Sequence, residues 1–429
     1  MMNTTKRHDG TAAVDRGDAR LRVLIVQEAM GGCGRHVADL IAGLDHSRFD
    51  VTLLYGTGRV DAYFRSRIAQ LQQCANLIGC DDLCREIDPV RDLRAFIETV
   101  RVIRRVRPDI VHCHSTKGGV IGRAAAWLCR VPAVFYTPHA YAFQSPQVKS
   151  WKRHLYVAVE LILARVATTR TLNVSAGERR EALKHRLGRP DRFHVVINGL
   201  ADVTLPHKAV IRERLGLPQH VPIVGVVARL VDQKCPMTAV RIARRLIAHD
   251  AHVHVAFVGS GPLESEVRAF CAENGIEHNV HFLGERDDAD LIVGAFDVSL
   301  LCSLYEGLPY SLIESIRAGV PIAASAVTGN EDVVREGVNG WTFPVEDVDA
   351  GAAAVERLLV DPPQADDVRK DFSTRFRIEN MLTDITEQYE LVQDKAVRHE
   401  SMRYGSASSS FTTVATWNKT RFATETGEQ

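Results

Sequence analysis

The sequence has no apolar run near the roughly 18 residues that a membrane-spanning helix needs; even Val157 to Ala167 is interrupted by Glu160 and Arg165. It has no CxxC pair. Its nine cysteines are scattered and odd in number, the pattern of a reduced chain rather than of a disulfide framework. It has no charge excess, with 53 Lys+Arg against 53 Asp+Glu, so no global positive field gathers nucleic acid, which is not an expected partner. No repeat of fixed period is visible. The first 20 residues are polar and charged, and the apolar run after them, Leu21 to Val26, is too short for a signal-peptide core. These absences predict a cytoplasmic chain, with peripheral attachment at the inner face of the membrane left open.

What is present is the composition of a folded enzyme, 45% hydrophobic and 25% charged over 429 residues, enough for two domains. Short β-branched runs alternate with amphipathic stretches, which predicts parallel sheets covered by helices. Strands are expected at Arg22 to Gln27, Val51 to Tyr55, Ile110 to His114, Ala133 to Thr137 and Thr171 to Val174. A second series opens at Ile223 to Val227 and continues at Val253 to Val258, Val280 to Leu283, Val298 to Leu301 and Pro321 to Ala324. Two such series predict an α/β protein of two Rossmann-like domains facing across a cleft, with the ligand outside the carboxyl ends of the strands. The expected limits are a disordered arm at 1–20, a first domain at 21–200, a second at 201–375, a helix at 376–393 crossing back to the first domain, and a disordered tail at 394–429.

The richest stretch is LLCSLYEGLPYSLIESIRAGVPIAAS, Leu300 to Ser325. An apolar strand runs into Glu306, Gly307 and Leu308 turn the chain, and Pro309 suits a first helical position because its missing N–H would have had no partner there. The free amides of Tyr310, Ser311 and Leu312 then form an anion site at the sheet edge, fit for a diphosphate. Glu306, in the turn, can accept from sugar hydroxyls, and Glu314, about one turn inside the helix, can take a ribose diol in both carboxylate oxygens. Two glutamates eight positions apart are weak evidence alone; ordinary helix-end charges read the same way.

That stretch, with VVARLVDQK (Val226 to Lys234), FVGSGPLESEV (Phe257 to Val267), VHFLGERDD (Val280 to Asp288) and GNEDVVREGVNGWTFP (Gly329 to Pro344) in this order, resembles family 4 of the retaining glycosyltransferases, which have the GT-B fold. The resemblance runs from about Leu21 to Val392. It implies that Arg229 and Lys234 neutralise the donor diphosphate, and that the segment holding Gly284, Glu285 and Arg286 meets the nucleobase mainly through backbone. Gly259 and Gly261, in a loop between strand and helix, would let backbone approach the nucleotide. The pair Gly31 and Gly32 corresponds to the family's glycine loop against the donor phosphates. Cys235 and Pro236 depart from the family, which often has Gly after the lysine.

His139, in YTPHAYAF, matches the family's histidine beside the transferred sugar, although Ala140 stands where the family usually has Gly. Two roles are open for it: contact to sugar hydroxyls, or stabilisation of charge as the bond breaks. HSTKGG, after the strand ending at His114, resembles members that build bacterial polysaccharides, and Ser115, Lys117 and Arg123 are expected on the acceptor side. Lipid-linked acceptors are common there, so Arg94, Arg101, Arg104 and Arg105 on one helix are candidates for a membrane contact, against the more ordinary reading of a solvated face.

His112, Cys113 and His114 suggest metal only weakly, because adjacent strand residues face opposite ways and no second ligand cluster is apparent. The strings Asp288-Ala289-Asp290 and Asp347-Val348-Asp349 fall near expected helix starts, where aspartate favours the dipole anyway. No metal and no cofactor are therefore expected; the nucleotide-sugar is a substrate. The resemblance implies a metal-independent hexosyltransferase that retains anomeric configuration, uses a UDP- or GDP-linked sugar and acts on a saccharide or lipid-linked saccharide. A nucleotide-sugar epimerase, a phosphorylase of the same shape, and an inactive binding protein stay open as alternatives.

Overall fold

The computed structural model describes residues 20–404, with side chains to residue 391; the disorder expected for 1–19 and 405–429 lies outside the described residues. The first half of the chain forms a parallel sheet of seven strands: β1 (Leu21–Gln27), β2 (Phe49–Gly56), β3 (Ala75–Cys80), β4 (Ile110–His114), β5 (Ala133–Thr137), β6 (Arg170–Asn173) and β7 (Phe193–Val195). Their spatial order is β3-β2-β1-β4-β5-β6-β7. The helices between them are α1 (Gly32–Gly43), α2 (Ala62–Leu71), α3 (Pro89–Val106), α4 (Thr116–Leu128), α5 (Ser150–Val166) and α6 (Ala176–Lys184).

After α7 (Lys208–Arg214) a second parallel sheet contains β8 (Ile223–Val227), β9 (His254–Val258), β10 (Val280–Phe282), β11 (Val298–Leu301), β12 (Ile322–Ser325) and β13 (Gly340–Phe343) in the order β10-β9-β8-β11-β12-β13. It is covered by α8 (Pro236–His249), α9 (Glu264–Glu273), α10 (Ala289–Ile292), α11 (Tyr310–Arg317), α12 (Thr328–Val333), α13 (Val348–Val360) and α14 (Ala365–Arg375). The central strands are buried on both faces, as Val23, Leu24, Ile25 and Val26 in β1 show. That is why they read as unbroken apolar runs.

In both sheets the order reverses beside the first strand, between β1 and β4 and between β8 and β11. Open sheets of this kind bind ligands at that switch point. Register fixes what arrives there: Gln27 pairs with His114, and His114 with Thr137. Glu28, Ser115 and Pro138-His139 therefore emerge along one edge.

The two sheet edges meet backbone to backbone. A Cβ on Gly307 would lie 2.7 Å from the amide of Ala140, a separation that only glycine tolerates. Nearby, the amide of Gly177 donates to Asp332 Oδ2 at 2.7 Å.

The chain returns through α15 (Ile378–Tyr404). Leu200 donates to the carbonyl of Phe376 at 2.8 Å and accepts from Ile378 at 3.0 Å, and Leu382 lies against Gly43 of α1. The helix is described to Tyr404, past residue 394 where order was expected to stop. Lys, Ala, Arg, Glu and Met in that stretch sustain a helix that is already nucleated. Gly199 is the tight point of the return, since a Cβ there would meet the carbonyl oxygen of Arg377 at 2.6 Å. Gly199→Ala should cost about 1–3 kcal/mol in denaturant unfolding and raise amide exchange in residues 378–387; unchanged exchange there would contradict this account of the crossing.

Candidate active site

A cavity of about 960 Å³ lies between the carboxyl ends of the two sheets, a volume suited to a small-molecule substrate. Most of the expected site residues line it. From the first domain come Gly31, Gly32, Ser115, Lys117 and His139; from the second come Arg229, Lys234, Gly259, Glu285, Arg286, the run from Glu306 to Ser311, and Glu314. Gly261, Gly284 and Arg123 are not in the lining.

The glycines divide by cause. Gly31 and Gly32 have open space where a Cβ would stand, so their backbone faces the cavity at the start of α1. Gly259 and Gly261 are glycine for another reason: a Cβ would meet the carbonyl oxygens of Ala228 at 2.1 Å and Leu230 at 2.3 Å. They press the loop after β9 onto the segment that carries Arg229, and Gly261 supports the site from behind. Gly284 is left-handed, at φ +68°, and is a turn residue.

At the mouth of β11, Glu306 is buried and ion-paired with Lys234, while Ser303 Oγ donates to the same oxygen at 2.6 Å. Pro309, expected at the first helical position, is the cap before it, with extended backbone at ψ 124°; Tyr310, Ser311 and Leu312 remain the first helical residues. Their amides have no partner within the helix.

Glu314 does not stand free. Arg35, in the first turn of α1, is bonded to it, to Asp290 at 3.1 Å and to Asp39 at 3.5 Å. Burial works against the guanidinium's charge, yet these carboxylates hold it more firmly protonated than usual. Burial likewise pushes the Glu314 carboxyl up, opposed by Arg35. Arg317 donates to Asp290 as well, at 3.3 Å.

Three arginines stand in contrast. Arg59 follows β2, Arg85 follows β3 and Arg229 follows β8; all line the cavity. Among the described residues none of the three has an ion-paired or hydrogen-bonded side-chain partner. Burial lowers the pKa of Arg229, and repulsion from Arg59 and Arg85 adds to that. Like charges gathered without a direct ion-pair partner leave their donors open to an anion.

His139 and Ala140 both have left-handed backbone, at φ +54° and +80°, so the family's glycine at the second position has a conformational reason that Ala140 overrides at a cost. Glu178, fully buried in α6, pins the turn: it accepts from the amides of Ala140 at 2.6 Å and Val174 at 2.9 Å. The His139 imidazole is held neutral, its pKa well below the usual value through burial and its neighbours His36 and His112.

Several expected contacts fall elsewhere. Arg123 is not on the acceptor side; it is wholly buried, paired with Glu160 at 2.9 Å and lying 3.7 Å over the Tyr136 ring. An arginine four residues after Gly119 on α4 points into the core, where Glu160 of α5 meets it. Lys117 is tied to Asp92 and the carbonyl of Glu86. Glu285 accepts from the amide of Ala62 at 2.7 Å, capping α2 of the other domain, and Arg286 pairs with Asp288. Arg35, Arg59, Arg85, Glu178 and His36 were missed by the sequence reading. Only Arg35 and His36 carried a local signal, through their place just after the glycine loop.

The chain is similar to known glycosyltransferases. Residues 31–199 match the glycosyl transferase 4-like domain, and residues 207–375 match the glycosyl transferases group 1. An Escherichia coli UDP-Gal:alpha-D-GlcNAc-diphosphoundecaprenol alpha-1,3-galactosyltransferase is 30% identical over 286 residues, 65% of this chain and 73% of its own. The putative glycosyltransferase EpsD of Bacillus subtilis is 28% identical over 282 residues, 64% of this chain and 73% of its own. Among solved structures, Anabaena HepE in complex with UDP-glucose superposes with a TM-score of 0.73 at 19% identity, over 86% of this chain and all of that one.

The Glu178 clamp has a pH signature. Burial raises its carboxyl from 4.5 to about 7, so the folded state keeps a proton that the unfolded chain has lost between those values. The stabilisation from this group is complete below about pH 4.5 and is lost as pH rises through about 7. Relative to Glu178→Gln, wild type should lose up to about 3 kcal/mol of unfolding free energy across that window. Parallel stability–pH curves for the two proteins would contradict the assignment.

Proposed function

The chain belongs to the group 1 glycosyltransferases, and from that premise we propose that it moves a sugar from a UDP- or GDP-linked donor to a hydroxyl of a lipid-linked saccharide, with retention and without a metal. The observation that carries this reading is the unpaired triad Arg59, Arg85 and Arg229 around the cavity. A departing nucleoside diphosphate gathers negative charge, and fixed cations stabilise it more in the transition state than in the bound donor. The free amides at the start of α11 and the Gly31-Gly32 edge of α1 add dipoles of the same sign.

Lys234 has three donor hydrogens and spends one on Glu306, which leaves two for phosphate oxygens. Glu306 Oε1 holds Lys234 and Ser303; its other oxygen is the acceptor for a sugar hydroxyl. Neutral His139 can donate to or accept from that sugar, but it carries no charge to offset the oxocarbenium ion.

Retention by front-face departure is supported by how the carboxylates near the sugar position are engaged. Glu306 is with Lys234, Glu160 with Arg123, Glu178 with backbone amides, and Glu28 accepts from Gly118 at 3.0 Å. None stands free as a nucleophile. The metal-free reading draws on the two D-x-D strings: Asp288 pairs with Arg286 and Arg214, Asp290 with Arg35 and Arg317, Asp347 caps α13 and Asp349 pairs with Arg245. Arginines on Asp288, Asp290 and Asp349 support a reading in which cationic side chains, not a divalent ion, balance the diphosphate.

The acceptor class follows from the opposite wall. Phe143, Val148, Leu155, Tyr156 and Val159 give the cavity an apolar side, and α5, which supplies the last three, exposes Trp151, Leu155, Ile162 and Val166 beside Lys152 and Arg165. Exposed Trp and aliphatic residues among cations suit a lipid interface, so a polyprenyl-linked acceptor can reach the cleft along this helix. The relative from Escherichia coli, named for a diphosphoundecaprenol acceptor, supports the same class.

The test is transfer of radiolabelled sugar from a panel of nucleoside diphosphate sugars to a polyprenyl-diphosphate saccharide in phosphatidylglycerol vesicles. Turnover should survive EDTA and fall about 10²-fold in Arg229→Gln, and Trp151→Ser should reduce turnover on vesicles while sparing a water-soluble acceptor. Release of free isomerised donor without transfer would reject the reading.

A further inference from the structure

Beside the donor site the described residues bring together three histidines from separate elements. His36 stands in the first turns of α1, His114 ends β4 and His139 follows β5; one ring nitrogen of each lies within 4.8 Å of the others. His114 Nδ1 and His139 Nε2 are 3.1 Å apart, and the His36 ring meets that of His139 nearly edge-on with centroids 4.8 Å apart.

Hydrogen bonding places the proton on the His36 ring. Asn198 Nδ2 donates to the carbonyl of Leu308 at 2.9 Å, which fixes the amide's orientation and leaves Oδ1 facing His36 Nδ1 at 3.1 Å. An amide oxygen only accepts, so His36 Nδ1 carries the ring proton and His36 Nε2 is a bare lone pair. That atom is buried without a partner. Burying an acceptor unsatisfied is unfavourable, and this one belongs to the cluster. Burial keeps all three imidazoles neutral, with repulsion from neighbouring histidines adding to it at His114 and His139; the neutral ring is the form that ligates metal.

The ligand chemistry narrows the occupant. Three neutral nitrogens suit a borderline-soft divalent ion, whereas magnesium, calcium and manganese take oxygen. Tetrahedral zinc at about 2.0–2.1 Å from nitrogen places its ligands about 3.4 Å apart, which the 3.1 Å pair reaches by a small ring rotation. Asn198 orients His36 as an outer partner of a metal ligand does. His139 alone of the three lines the cavity, so entry and the fourth coordination position are on that side.

We propose that His36, His114 and His139 bind one zinc-class divalent ion, and that its occupancy inhibits transfer by drawing His139 away from the sugar. The binding stands on the cluster alone; the inhibition rests on the role given to His139 above.

Cobalt(II) titrated into the full chain in reducing, chelator-free buffer tests the site on wild-type protein. The expected result is one equivalent bound, with d–d absorption of tetrahedral nitrogen ligation and no near-ultraviolet thiolate band. Zinc should displace the cobalt. His36→Gln and His114→Gln should each weaken binding about tenfold or more, with circular dichroism melting confirming that both fold, while Cys33→Ser, which removes the thiol lining the cleft, leaves the spectrum intact. Absence of the d–d band in wild type, a thiolate band, or unweakened binding in both folded histidine variants would overturn the site. Zinc that binds with this signature yet leaves turnover unchanged would overturn the inhibition alone. A chain that transfers no sugar but gives the cobalt spectrum would instead reject the transferase reading and leave the site standing.

Discussion

The arrangement of the cleft depends on an uneven division of arginines. Arg35 is committed to Glu314, Asp290 and Asp39, and so joins α1 of the first domain to α10 and α11 of the second. Buried carboxylates deprived of such a partner typically cost about 3–5 kcal/mol, so this contact holds the two sheet edges at their present separation. Arg59, Arg85 and Arg229 have no such commitment. Glu28, Asp61 and Glu306 nearby are hydrogen-bonded to an amide, a helix start and Lys234, so the three guanidinium groups keep their donors for an anion.

The parallel sheets make this possible. Each delivers its functional residues at the switch point, so Glu28, Ser115 and His139 from one and Arg229, Lys234 and Glu306 from the other converge without any long loop. Glycines permit the closeness: Gly307 against Ala140, Gly259 and Gly261 against the Arg229 segment. Glu178 then holds the His139 turn in a backbone conformation that His139 and Ala140 would not choose. Placement, not unusual side-chain chemistry, is what the fold supplies.

Central strands were legible from the residues, and β4, β5, β8 and β11 begin and end where their apolar runs do. The strands that escaped notice, β3, β7 and β13, are all sheet edges. An edge strand is covered less completely, so ANLIGC and GWTF carry no long β-branched run. Site residues followed the same rule of locality. Glu306, Arg229 and Lys234 sit in recognisable strings, whereas Arg59 and Arg85 lie in loops whose sequences announce nothing, and Glu178 acts on a turn 38 positions away. Arg123 was misplaced because spacing alone does not say which side of α4 faces Glu160.

The central claim is that the unpaired arginines receive the diphosphate. It is tested most directly by calorimetric affinities of a nucleoside and its diphosphate for wild type and for a chain with Arg59, Arg85 and Arg229 all changed to glutamine. The account predicts that the diphosphate's advantage over the bare nucleoside, large in wild type and weakened by salt, collapses in the triple variant while nucleoside affinity holds. An advantage that persists undiminished would contradict it.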